Sequence, residues 1–314
     1  MLSPAVRIYN TVKFFIPRRF QIALRRKVVA RQARRCSDVW PISPGAGTMP
    51  EQWEGWPSGK KFALVLTHDV DTQRGHDRCS DLAAIEEELG FRSAFNFVAG
   101  EYAVSTDLRK TLAAGGFEVG VHGWVHNSSL YRSRDEFLNQ ASKINSTLRD
   151  WNAVGFRSPC MYHNLEWLHD LEIEYDASTF DTDPFEPQPH GMNTIFPMYI
   201  ADHATGRAYV ELPYTLPQDF TLFVLMQHRT IDVWKEKLRW IAEKGGMALV
   251  NVHPDYMHFG KKGISYTQYA ARVYQNFLEH VSVAYSDQYW HSLPRDIARF
   301  WADRARRQGT GDMR

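Results

Sequence analysis

The sequence predicts an α/β fold built on a parallel sheet, and three observations point there. Short apolar runs alternate with helix-length amphipathic segments from residue 61 onward. Seven of these runs have the length and the bounding turn residues of buried strands. Several of them end in polar residues of kinds that cooperate chemically: Asp69 and Asp71, His122, Arg157, Asp176 and His253. In a parallel barrel every strand's carboxyl end lies on one face, so these residues would converge there.

The chain has 314 residues, 44% hydrophobic and 13% aromatic, enough for one barrel with extensions. Cys36, Cys79 and Cys160 are odd in number, widely spaced and without a CxxC pair, which argues against a disulfide framework or a cysteine zinc site. The net charge of +1 conceals an asymmetry. Residues 1–40 hold ten Lys or Arg and one acid, Asp38, leaving 27 bases and 35 acids in the rest, a balance of −8. No run approaches a membrane span, and bases interrupt every apolar cluster of the first twenty residues, so neither a signal peptide nor a transmembrane helix is expected. A cytoplasmic protein follows, with residues 1–35 as a candidate peripheral contact at the inner face of the membrane.

In chain order, Phe20, Leu24 and Val28 recur every four residues after Pro17 and predict one face of a basic helix, with Ile22 and Val29 off that face. Such a helix suits an anionic membrane surface or the acidic body equally. A stretch rich in Pro, Gly and Trp over residues 40–60 marks a boundary. The expected division is a basic leader and linker over 1–58, a barrel over 59–304 and a tail over 305–314. Phe62–Leu66 forms the first strand, running into Thr67, His68 and the two aspartates. Helices are expected at 77–89, 105–114, 134–151, 231–244, 266–279 and 293–304. The remaining six strands fall at 93–98, 118–122, 154–157, 174–179, 209–216 and 247–253, and residues 181–197 form a long irregular loop.

On an extended strand residues i and i+2 point the same way, so Asp69 and Asp71 share one face and His68 and Val70 the other. Two adjacent carboxylates need a cation, an arginine or a shared proton between them. His122 and His126 are spaced by four, which places both imidazoles on one side if the chain turns helically. Two His and one Asp make a three-ligand set that leaves metal positions open, as catalytic zinc sites do. Cobalt, nickel or iron would also suit it.

At these residues the sequence resembles the polysaccharide deacetylase superfamily, carbohydrate esterase family four, over roughly residues 60–300. The resemblance implies a distorted (β/α) barrel, here of about seven strands, and metal-dependent hydrolysis of an N-acyl group, acetyl foremost, on an amino sugar. The family's first motif, Thr-Phe-Asp-Asp-Gly, stands here as Thr67-His68-Asp69-Val70-Asp71, with Val70 where the usual ligand sits. An Asp-x-Asp version carried by some relatives implies Asp69 as catalytic base and Asp71 as metal ligand; strand parity by itself does not distinguish the roles. His122-Gly123-Trp124-Val125-His126 is similar to the second motif, with Gly123 in place of a hydroxyl residue. Arg157-Ser158-Pro159 is similar to the third, implying that Arg157 orients the base and that the backbone N–H of Cys160 serves the oxyanion. Val250-Asn251-Val252-His253 is similar to the fifth, implying His253 as general acid. The carboxylate that would hold His253 remains open among Asp176, Asp181 and Asp183. Trp124, between two proposed ligands, is a candidate for the cleft wall.

The implied partner is a glycan or a lipid-linked amino sugar. A deformylase of a lipid-linked formamido sugar, and a noncatalytic glycan-binding or scaffold protein with the same barrel, are the alternatives. Nucleic-acid binding has only the basic leader in its favour and the acidic body against it.

Overall fold

The structure is a computed structural model and describes residues 17–260 and 263–309. Helix α1 (Arg18–Ala33) precedes strand β1 (Phe62–Val70), and helices α2 (Gln73–His76) and α3 (Cys79–Glu88) follow it. Next come β2 (Ala94–Phe97), α4 (Thr106–Ala114), β3 (Glu118–Val121), α5 (Arg134–Trp151), β4 (Gly155–Phe156) and β5 (Tyr175–Asp176). The second half comprises β6 (Met198–Asp202), β7 (Arg207–Glu211), a π-helical turn (Phe220–Leu225), α6 (Asp232–Lys244) and β8 (Met247–Val252). The chain ends with β9 (Met257–His258), β10 (Tyr269–Ala270), α7 (Ala271–Ala284), β11 (Tyr289–His291) and α8 (Pro294–Arg307).

All nine residues of β1 are buried, as a central strand covered on both faces requires. It pairs in parallel with β8 through Ala63–His68 and with β2 through Thr67–Val70. The parallel order then runs β2, β3, β4, β5, β7. Beyond β7 the chain bends back onto β8: Thr215 N and Leu216 N donate to Leu249 O at 3.0 and 3.1 Å, and Thr215 Oγ1 donates to Met247 O at 2.8 Å. Those bonds complete an irregular ring of seven strands, the distorted (β/α) barrel expected from the sequence. All seven carboxyl ends therefore emerge on one face.

The best-marked helix is α5. Ser133 Oγ accepts from Glu136 N at 3.2 Å to cap its start, and Asn152 in a left-handed conformation ends it. Phe137, Ala141, Ile144 and Leu148 form its buried stripe. At the amino-terminal end of the barrel, Trp53 and Trp56 from the Pro/Gly/Trp stretch pack against Phe300 and Trp301 of α8, and Trp56 Nε1 donates to Gly245 O at 2.8 Å.

The helix expected over 77–89 forms as α3, Cys79–Glu88, with the short α2 as an additional turn of helix ahead of it. The 266–279 helix starts later, at Ala271, because Tyr269–Ala270 first pairs with Met257–His258. The strand expected at 209–216 forms earlier, as β7, and is joined by two further strands: β6, its antiparallel hairpin partner, and β11, which lies beside Phe62–Leu64. On α1 it is Ile22 and Val29 that are buried, 1% and 6% exposed, whereas Phe20, Leu24 and Val28 are 69%, 49% and 54% exposed. The body takes the face that the four-residue repeat leaves out, because Arg26 fixes the rotation of the helix: its Nε donates to Val224 O at 3.0 Å and its Nη2 to Tyr266 O at 2.7 Å.

Candidate metal centre

Asp69 and Asp71, at the carboxyl end of β1, both point into the barrel mouth, while His68 points away and meets Glu86 Oε1 at 2.8 Å in a buried network with Ser93 and Tyr274. The period of the strand sorts the four side chains. Asp71 Oδ1 lies 3.2 Å from His126 Nε2 and 3.5 Å from His122 Nε2. One ligand atom from each of these three residues lies within 4.8 Å of the others.

Whether the trio fits a metal can be tested on two features. Asp71 Oδ1 is buried and accepts no hydrogen bond, a costly state for a carboxylate oxygen unless a cation fills the gap. His122 Nδ1 donates to Arg157 O at 2.9 Å, which leaves the Nε2 lone pair turned toward Asp71. Both features fit a divalent cation held by Asp71, His122 and His126. The other Asp71 oxygen accepts from Tyr256 Oη at 3.3 Å, and Asp71 N donates to Asp255 Oδ2 at 3.0 Å. Asp255 also accepts from Thr72 Oγ1 and sits where a side chain at Gly75 would collide with it.

Asp69 is surrounded differently. Its Oδ1 accepts from Arg157 Nη1 and Asn96 Nδ2, both at 3.2 Å, and its Oδ2 accepts from Asn251 Nδ2 at 2.8 Å. Burial pushes this carboxyl up, but the charges of Arg157, His122 and His253 outweigh it and hold it at about 2. Arg157 is fully buried and is fixed by Ala177 O at 2.7 Å and Thr67 Oγ1 at 2.9 Å. His253 Nε2 stands 3.9 Å from Asp69 Oδ2, across the mouth.

The carboxylate on His253 is Asp219, which corrects the expectation of Asp176, Asp181 or Asp183. Asp219 Oδ1 accepts from His253 Nδ1 at 2.7 Å, and Asp219 Oδ2 accepts from His253 N at 2.8 Å and Tyr269 Oη at 2.9 Å. Burial works against the imidazolium, yet the Asp219 contact, aided by Asp71 and Asp69, raises His253 to about 10. Asp176 accepts instead from Ser178, whose Oγ in turn accepts from Ser158 N at 2.8 Å, so its reach is to the Arg157–Pro159 loop. Asp181 pairs with buried Lys237, and Asp183 accepts from Tyr214 Oη at 2.8 Å. Cys160 sits half-buried in the turn after Pro159, in a left-handed conformation at φ +58. Trp124 is half-buried, with Lys143 Nζ 5.4 Å from its ring centroid.

Residues passed over by the motif reading are Asp219, Asn96, Asn251, Asp255 and Tyr256. Asn251 and Asp255 had a signal, since each lies two residues from His253 at a strand end. Gly123 has a structural reason: its φ is +73, and a Cβ there would lie 2.6 Å from Pro159 Cγ. The histidine-bearing turn and the Arg157–Pro159 loop touch at that point.

No family model matches the sequence, and no curated protein matches it either. Solved structures do. A crystal structure described as a polysaccharide deacetylase from Mycobacterium smegmatis superimposes with a TM-score of 0.61 at 20% identity, covering 82% of this chain and 95% of the other. Another so described, from Pseudomonas aeruginosa PAO1, gives 0.59 at 14% identity, covering 79% and 93%. This chain has the polysaccharide deacetylase fold. The PuuE allantoinase superimposes as well, with a TM-score of 0.58 at 15% identity over 79% of this chain and 92% of its own. The polysaccharide deacetylase fold thus accompanies more than one activity name, and substrate has to be argued from the site.

Proposed function

We propose that this chain is a metal-dependent amide hydrolase that removes an N-acyl group, acetyl foremost, from an amino sugar in a polysaccharide or lipid-linked glycan precursor. The observation that carries the reading is the division of labour around the mouth. Asp71 Oδ1 converges with the Nε2 atoms of His122 and His126. Asp69 and His253 face each other beside that trio. The fold shared with structures described as polysaccharide deacetylases supports the same reading.

A divalent ion held by Asp71, His122 and His126 would supply Lewis acidity, lowering the pKa of water toward about 7 and polarising a carbonyl. Zinc is the first choice for such a donor set. The side chains provide the proton transfers. Asp69, held ionised by Arg157, Asn96 and Asn251, has Oδ2 turned toward the histidines and is the proton acceptor. His253, kept protonated by Asp219, is the donor to the leaving amine through Nε2. The Asp219–His253 pair keeps the imidazole oriented while the proton leaves.

Two departures from the family pattern leave this set intact. Val70 is buried on the opposite face of β1, while Asp71 takes the ligand position. Gly123 permits contact with Pro159 without removing either histidine. The test is elemental analysis of the purified protein, followed by assay of N-acetylated and N-formylated amino sugars for released acid. About one equivalent of metal, lost in Asp71→Ala and His122→Ala, with acetate released, is the expected result. Formate without acetate would assign the deformylase alternative. Absence of metal after incubation with zinc, cobalt or nickel would overturn the hydrolase reading in favour of glycan binding.

A further inference from the structure

We infer that α1 is a membrane-docking element, whose outward face settles on an anionic lipid surface and so presents the barrel mouth to a lipid-borne substrate. The substrate half of this inference rests on the amino-sugar reading; the docking half does not. Three features of the described residues carry it. First, the apolar residues of α1 divide between two opposite faces. Ile22 and Val29 are spent on the body, yet Phe20, Leu24 and Val28 remain 69%, 49% and 54% exposed along one line of the helix. Three of the nine exposed large hydrophobic residues among those described therefore line up on one outward face of α1 rather than scattering singly.

Second, the helix carries six Arg or Lys and no acid, and Arg19, Lys27, Arg31, Arg34 and Arg35 are exposed. An apolar ridge bordered by long basic side chains matches the boundary between acyl chains and anionic headgroups. A second copy of the same face would oppose base with base. The preceding sequence, Lys13-Phe14-Phe15-Ile16, has the same composition, although it lies outside the described residues.

Third, the helix is close to the site. The Arg25 guanidinium lies 4.8 Å from the Phe220 ring, Phe220 and Tyr256 have centroids 4.6 Å apart, and Tyr256 Oη donates to Asp71 at 3.3 Å. Helix α1 is thus linked to a candidate metal ligand through three side chains, those of Arg25, Phe220 and Tyr256.

Sedimentation of the full chain with phosphatidylcholine vesicles, with and without phosphatidylglycerol, tests the docking. The parent is expected to sediment with the anionic vesicles, less so at high salt. The triple substitution Phe20→Ser, Leu24→Ser, Val28→Ser should weaken binding at least about tenfold, with thermal midpoint and metal content unchanged. Should that variant lose its fold, Lys27→Glu with Arg31→Glu provides the same readout from exposed charges. Failure of the parent to bind, equal binding by the variants, or a concentration-dependent dimer that the triple variant abolishes would each overturn the inference. Vesicle binding without hydrolysis of any amino sugar would remove the catalytic reading and leave the docking standing.

Discussion

Asp219 grips His253 at two points, accepting from the ring Nδ1 at 2.7 Å and from the backbone N–H at 2.8 Å. The double contact fixes the ring's position and, against the opposing effect of burial, keeps it protonated up to about 10. Its Nε2 is thereby a proton donor over the whole neutral range. In Asp219→Asn the shape of the contact remains and the charge is lost, so the imidazole pKa falls toward its ordinary value near 6.5. Turnover should drop on the order of 10²-fold, and the alkaline limb of the kcat profile should move to lower pH because the acid form is depleted earlier. Metal content should be unchanged. A limb that does not move would remove Asp219 from the proton chemistry.

The two aspartates of β1 should separate by assay. Asp71 Oδ1 faces both histidines, whereas Asp69 is saturated by Arg157, Asn96 and Asn251. Asp69→Asn is expected to retain metal by elemental analysis and lose about 10²- to 10⁴-fold in turnover. His126→Ala is expected to lose the metal outright. Metal lost in Asp69→Asn and kept in Asp71→Asn would reverse the two roles.

Gly123→Ser restores the hydroxyl residue of the family motif but not its setting. The position has φ +73, and the new Cβ would lie 2.6 Å from Pro159 Cγ. Backbone strain of this kind costs about 1–3 kcal/mol, and denaturant unfolding should report a loss in that range. Unchanged stability would mean that the Arg157–Pro159 loop yields freely.

Lys237 and Asp181 form an ion pair with both side chains buried. Burial raises the Asp181 carboxyl to about 6 even though Lys237 opposes the shift. Lys237→Met leaves a buried carboxylate unpaired and should cost about 3–5 kcal/mol at pH 8. At pH 5 the carboxyl is protonated and the loss should be smaller. Adding Asp181→Leu should recover most of the stability, as measured by urea unfolding at both pH values.

Local periodicity determined much of this protein. The alternation along Phe62–Asp71 placed Asp69 and Asp71 on the mouth and His68 among Glu86, Ser93 and Tyr274, because a strand's side-chain period does not depend on what surrounds it. The helix expected over 134–151 likewise forms as α5, Arg134–Trp151, with Ser133 capping its start and its apolar stripe buried. The partner of His253 was not readable, since Asp219 lies 34 residues away on a π-helical turn with no strand-end pattern, and only ring closure of β7 onto β8 brings the two together. Helix α1 shows the same division. Its sequence determined that it would be basic and apolar on one line, but Arg26 reaching Val224 O and Tyr266 O decided which line faces out. Side-chain periods are set within a few residues of chain, whereas the choice among faces and partners is set by contacts between segments far apart in sequence, and those exist only once the barrel has closed.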